Sequence, residues 1–155
     1  MTVLEILEAY GKIGVERIKQ ALEQVRATGK TINSVKYETS ETNGVARLVI
    51  KARPYTSAIE TGVKPVSAGS KPGIPPEMIA NLTEYAQARG MEKPESAAWG
   101  IAKKIKQVGD KTYRMGGRTI YSDDVINLVN EIKKDAKKEY RIRFTTFIKN
   151  TWASQ

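Results

Sequence analysis

Cysteine and histidine are both absent from the 155 residues. Without cysteine there is no disulfide, no thiolate zinc site and no thiol nucleophile. Without histidine the commonest general base and the commonest transition-metal ligand are missing, and Ser–His–Asp chemistry is impossible within the chain. No apolar run approaches the roughly 20 residues that span a bilayer. Met1-Thr2-Val3-Leu4-Glu5 lacks the basic start and apolar stretch of a signal peptide, so the expectation is a chain made and used in the cytosol, or in a particle assembled there. A cysteine-free chain is compatible with such a reducing compartment.

What is present reads as one soluble globular domain over 1–155: hydrophobic residues are 40% and charged residues 28%, which is too apolar for a disordered chain. The net charge is 26 − 17 = +9. That balance favours partners with negative surfaces, whether nucleic acid, acidic protein or anionic membrane, without choosing among them.

Apolar residues at helical spacing (Leu4, Leu7, Ile13, Ile18, Leu22, Val25) predict a long amphipathic helix from about Val3 to Ala27. Gly11 and Gly14 weaken its middle, and Gly29 is a plausible stop. Ser34–Thr39 and Val45–Ala52 alternate apolar with polar residues, and Asn43-Gly44 between them is a strong hairpin cue. Pro54 ends the second strand. Tyr55–Thr61 predicts a short helical or turn-like piece closed by Gly62, followed by an exposed loop over about 63–76 that is rich in Pro, Gly, Ser and Lys. Helices follow from Pro76 to a stop at Gly90, and from Pro94 to a stop at Gly109, with Trp99 expected in the core. Residues 110–120 read as a second mobile loop. A last helix starts at Ser122 or Asp123; it either continues through Phe144, Phe147 and Ile148 or breaks near Arg141 into a strand, with about 141–155 as a C-terminal extension. The fold class expected is α+β: a long N-terminal helix, a β-hairpin, then a cluster of helices with a long C-terminal one.

Little in this chain carries chemistry. Gly69-Ser70-Lys71 lacks the Walker frame, and Gly116-Gly117-Arg118 is too short to count, so both read as plain loops. Asp123-Asp124 is explained by capping and the helix dipole better than by a metal. Glu60, between Ile59 and Gly62, is expected to be a structural carboxylate meeting a backbone amide or an arginine, not a catalytic base. No cofactor is implied. The basic residues fall into two groups: Lys64, Lys71, Lys111, Arg114 and Arg118 in the loops, and Lys133, Lys134, Lys137, Lys138, Arg141, Arg143 and Lys149 in the last helix. Glu131, Asp135 and Glu139 interleave with the second group, which usually means a solvated face. The alternative for Lys71, Lys111, Arg114, Arg118, Lys133, Lys137 and Arg141 is contact with DNA phosphates or an acidic partner. No motif for base-specific recognition accompanies them. Phe147 and Trp152 make an apolar end that either docks a partner subunit or packs back on its own domain.

The order of segments carries a resemblance. Tyr55-Thr56-Ser57-Ala58-Ile59-Glu60-Thr61-Gly62-Val63-Lys64-Pro65 is followed by a helix ending Arg89-Gly90-Met91, and by an alanine-rich helix ending Ile105 to Gly109-Asp110-Lys111. This resembles the small neck or tail-completion proteins of tailed bacteriophages, also described as minor tail or head–tail connector proteins, over roughly residues 1–140. Members often show Tyr-x-x-x-x-Glu-x-Gly and then Lys/Arg-Pro. The resemblance implies a structural virion subunit, not an enzyme. It would form a homo-oligomeric ring between portal and tail, with other neck, portal or tail proteins as partners. Non-specific contact with packaged DNA follows from the ring's place at the exit channel, with no role for a membrane. Tyr55, Glu60, Gly62, Lys64, Pro65, Phe147 and Trp152 are then the expected interface residues. Sequence-independent nucleic-acid binding remains the alternative.

Overall fold

The computed structural model describes residues 2–25, 28–53, 55–66 and 73–153, the side chains of Phe144 and of residues 147–153 excepted. Pro54, Lys71 with the whole Gly69-Ser70-Lys71 segment, and the side chains of Phe147, Lys149 and Trp152 lie outside the described residues, as does the middle of the expected 63–76 loop.

The fold is α+β. Its elements in order are α1 (Val3–Glu23), α2 (Lys30–Asn33), β1 (Lys36–Thr42), β2 (Val45–Lys51), α3 (Thr56–Thr61), α4 (Pro76–Ala88), α5 (Pro94–Val108), α6 (Lys111–Arg114) and α7 (Ser122–Ala153). Among the described residues no helix is long and apolar enough to cross a membrane. The chain divides into two compact units, each assembled from separate stretches. The first takes Met1–Ala21, Val35–Lys51 and Tyr121–Gln155; the second takes Leu22–Ser34 and Ala52–Ile120.

In the first unit α1 opens on a capping box. Thr2 Oγ1 accepts from the Glu5 amide at 3.1 Å, and the Glu5 carboxylate accepts from the Thr2 amide at 2.6 Å, which satisfies two N–H groups that the helix leaves open. The inward face of α1 buries Ile6, Leu7, Val15 and Ile18. Gly11 and Gly14 do not break it, because other elements need the room they leave. The Tyr37 ring lies where a Gly11 Cβ would sit, and a Gly14 Cβ would meet Leu128 Cδ2 at 2.6 Å and Ile50 Cδ1 at 3.0 Å. The strands pair antiparallel from Lys36↔Lys51 to Thr42↔Val45. They turn in two residues, Asn43 (φ 53°) and Gly44 (φ 74°), the positive-φ pair that a tight hairpin requires. Tyr37, Thr39, Ala46, Leu48 and Ile50 share the half-buried face; Val45 and Val49 are exposed on the other. Helix α7 continues past Arg141 without a break, with Leu128 buried.

In the second unit α4 and α5 pack as a pair through small residues: Ala86, Ala98 and Ala102 are wholly buried. This overturns the expectation for Trp99, which is 52% exposed. With alanines at 98 and 102, one turn apart on the inward face, the neighbouring position 99 is rotated by about 100° toward solvent. Helix α1 also stops earlier than its periodicity predicts, at Glu23, and Gly29 precedes α2 instead of ending α1. Lys30 of α2 pairs with Glu84 of α4 at 2.6 Å. The 110–120 stretch is not wholly a loop, since α6 occupies Lys111–Arg114.

Candidate functional site

Two segments about fifty residues apart in sequence, both carrying the resemblance, are tied together in the second unit. Gly62 ends α3 at φ 76°, ψ 175°, a conformation open to glycine alone. Its Cα faces the Tyr113 backbone nitrogen, and an added Cβ would also come within 2.6 Å of Asp110 Oδ1. Gly109 ends α5 in the same conformation, φ 78° and ψ 172°, with Pro65 alongside it. The extended chain between these points is anchored at both ends: the Asp110 amide donates to the Val63 carbonyl at 3.1 Å, and the Val66 amide donates to the Lys106 carbonyl at 3.0 Å.

Asp110 then starts α6, its carboxylate accepting from the Tyr113 amide at 2.7 Å. The chain returns at Gly117, where a Cβ would press against the Glu60 carbonyl at 3.0 Å. Arg118 is held twice: its amide donates to the Glu60 carbonyl at 2.8 Å, and its Nε donates to the Ile59 carbonyl at 3.1 Å. Glu60 itself is 9% exposed, and its Oε1 accepts from the Ile120 amide at 2.7 Å. Its carboxylate therefore holds the return segment in place. An open depression lined by Glu60, Thr61, Gly116, Gly117, Arg118 and Thr119 lies over the joint.

Around this framework the other expected residues face outward. Tyr55 is 55% exposed, yet its phenol is raised above its ordinary 10.0, first by the protein mass around it and then by the Asp110 charge, with Arg118 opposing. The exposure is the quantity that matters for a contact surface. Lys64, Lys111 and Arg114 are exposed, and Pro65 is half-buried. Arg114 Nε also reaches the Asp110 carbonyl at 3.4 Å. Arg114 and Arg118 thus serve the loop's own backbone. Nothing in residue type alone distinguished them from the lysines, although the doubled glycine before Arg118 marks the tight return.

The second basic group belongs to the first unit, on α7. Here the interleaved signs of the sequence separate in space. Glu131, Asp135 and Glu139 recur at every fourth position and so form one row. Each is occupied. Arg17 grips Glu131 with two bonds, 2.9 and 3.1 Å; the Tyr10 hydroxyl donates to Asp135 at 2.7 Å; Arg143 pairs with Glu139 at 3.2 Å. These contacts raise Tyr10, chiefly through the hydrogen bond to Asp135, raise Arg17 through its bond to Glu131, and lower Glu139 through its bond to Arg143. Lys133, Lys137 and Arg141 form a different row, also at every fourth position, flanked by Lys134 and Lys138. All five are exposed, and none pairs with a carboxylate among the described residues. Along the helix the two signs thus fall into separate rows, with the basic row exposed.

Compared with protein-family models, with curated proteins and with solved structures, the chain finds no match in any of the three.

Proposed function

We propose that this chain is a structural subunit of a tailed-bacteriophage neck, a tail-completion protein that forms a ring joining the head–portal complex to the tail and transforms no substrate. The observation that carries the reading is the joint between Glu60–Val63 and Asp110–Arg118. The segments that carry the resemblance are parts of one framework, and that framework uses its most suspicious carboxylate as a backbone anchor.

The exposed side chains support the same reading. Tyr55, Trp99, Met115, Ile126, Tyr140 and Ile142 are each more than half exposed, a large apolar commitment for a chain meant to remain alone. Ring subunits contact their neighbours through two different faces, so each copy on its own leaves both uncovered. Assembly would take place in the host cytoplasm, and the finished subunit would reside in the virion neck.

The test is electron microscopy of particles made without this chain. Filled heads with tails absent or unattached are expected. Normal infectious particles would overturn the proposal.

A further inference from the structure

We propose that the outer row of α7, Lys133–Lys137–Arg141 with Lys134 and Lys138 beside it, binds the phosphate backbone of duplex nucleic acid without reading its sequence. The inference deepens the proposed role and rests on it only for which duplex is at hand, the packaged genome.

The row is selective by construction. Three acids share this stretch of helix, and all three are turned to another row and occupied there by Arg17, Tyr10 and Arg143. A helix that only needed solvation would gain from pairing Glu131 with Lys134 and Asp135 with Lys138, each three residues on. Instead Arg17 and Tyr10, from a helix more than a hundred residues earlier, take two of them. Among the described residues no cation of the row makes an ion pair, so the row presents five exposed positive charges on one side of the helix.

Its geometry suits a polyanion of regular spacing. Successive members of the row stand about 6 Å apart along the axis, so the row extends about 12 Å. A duplex presents one phosphate per about 3.4 Å of axis on each strand, so a row about 12 Å long is extended enough to meet several of them. The composition also favours phosphate over protein. All but Arg141 are lysines. Lysine is depleted from the cores of protein–protein contacts but is a standard phosphate ligand.

The test measures binding of the full chain to a random-sequence duplex by fluorescence anisotropy, across about 50 to 200 mM salt. The triple variant Lys133→Gln/Lys137→Gln/Arg141→Gln is compared with Lys103→Gln/Lys104→Gln/Lys93→Gln, which removes the same charge from the α5 region. Wild type is expected to bind with a steep salt dependence. The α7 variant should flatten the slope of log K against log salt by roughly 2 to 3 and weaken binding at least tenfold at the lower salt, since each phosphate contact contributes about 0.9 to the slope. The α5 variant should change both far less. Circular dichroism melts of all three proteins confirm that each is folded, since every substituted side chain is on the surface or half-exposed.

Equal losses in the two variants would reduce the effect to net charge and overturn the inference. So would a polyglutamate peptide that binds wild type as tightly as the duplex does, which would assign the row to an acidic protein. Particles that assemble normally around an α7 variant whose DNA binding is unchanged would sink the inference and leave the neck role standing. Failure of the neck role would show instead in the deletion particles.

Discussion

The carboxylate of Glu60 accepts a hydrogen bond from the backbone amide of Ile120, sixty residues further along the chain, at 2.7 Å. A side chain that sequence inspection would first suspect of chemistry is thus a strut between the end of α3 and the segment that leads into α7. Removing the acceptor leaves a partly buried amide without its partner, and the cost of such an orphan is about 1 to 3 kcal/mol. Glu60→Ala should lower the denaturant midpoint by that much, while Glu60→Gln, which keeps a carbonyl acceptor in reach, should lose markedly less. Equal losses for the two substitutions would show that the hydrogen bond is not what Glu60 supplies.

Glycines in two helices make a paired test of space against propensity. At Gly100, in the middle of α5, an added methyl meets nothing within 4 Å. Gly100→Ala should therefore stabilise the protein by about 0.5 to 1 kcal/mol. Gly11→Ala offers the same gain in propensity but drives Cβ into three atoms of the Tyr37 ring. Overpacking of that kind costs about 1 to 3 kcal/mol and should outweigh the gain. Thermal melts of the two variants should move in opposite directions.

Gly62→Ala has no comfortable outcome, because both the positive φ and the approach of the Tyr113 backbone oppose a side chain. A loss of at least about 1 to 3 kcal/mol is expected. Hydrogen exchange should localise part of it to the amides of Asp110, Tyr113 and Arg118, whose acceptors Val63, Asp110 and Glu60 belong to the same joint.

Tyr10 predicts an alkaline dependence. Its folded pKa is raised by donating to Asp135, so its stabilisation is complete below the unfolded value near 10 and is lost as pH rises through the folded value. Stability measured upward from pH 10 should fall in wild type, and the part due to this residue should be missing in Tyr10→Phe. Identical alkaline slopes would remove Tyr10 from the account.

Arg17 and Glu131 make two bonds but remain about a third to two-fifths exposed. A double-mutant cycle on the pair should give a coupling below about 1 kcal/mol that shrinks with added salt.

The parts of this fold legible beforehand were those written locally. Asn43-Gly44 between alternating strands yields a two-residue turn because both positions must take positive φ, and few other dipeptides do so cheaply. Gly90 and Gly109 mark helix ends for the same conformational reason. What escaped was set by partners distant in sequence. Helix α6 depends on Asp110, whose placement depends in turn on Val63. Trp99 reads as inward because its helix is largely apolar, whereas the buried positions of the α4–α5 pair are alanines and the tryptophan faces outward. The two charge rows of α7 are a matter of period: read along the line the signs alternate, and read every fourth residue they separate. At the candidate site, the apolar neighbours of Glu60 point to a structural carboxylate but leave open whether an arginine or a backbone amide meets it, and no local signal names Ile120 as the donor.

The division of the chain into interrupted units has a consequence for its birth. Residues 22–34 and 52–120 complete one unit before the ribosome has delivered any of α7. Helix α1, by contrast, is made before both and must wait more than a hundred residues for Glu131 and Asp135. Through that interval α1 carries Ile6, Leu7, Val15 and Ile18, which are buried in the finished fold, while its Tyr10 and Arg17 still lack their partners. Until α7 has been made, α1 is therefore open to chaperone capture and to misassociation.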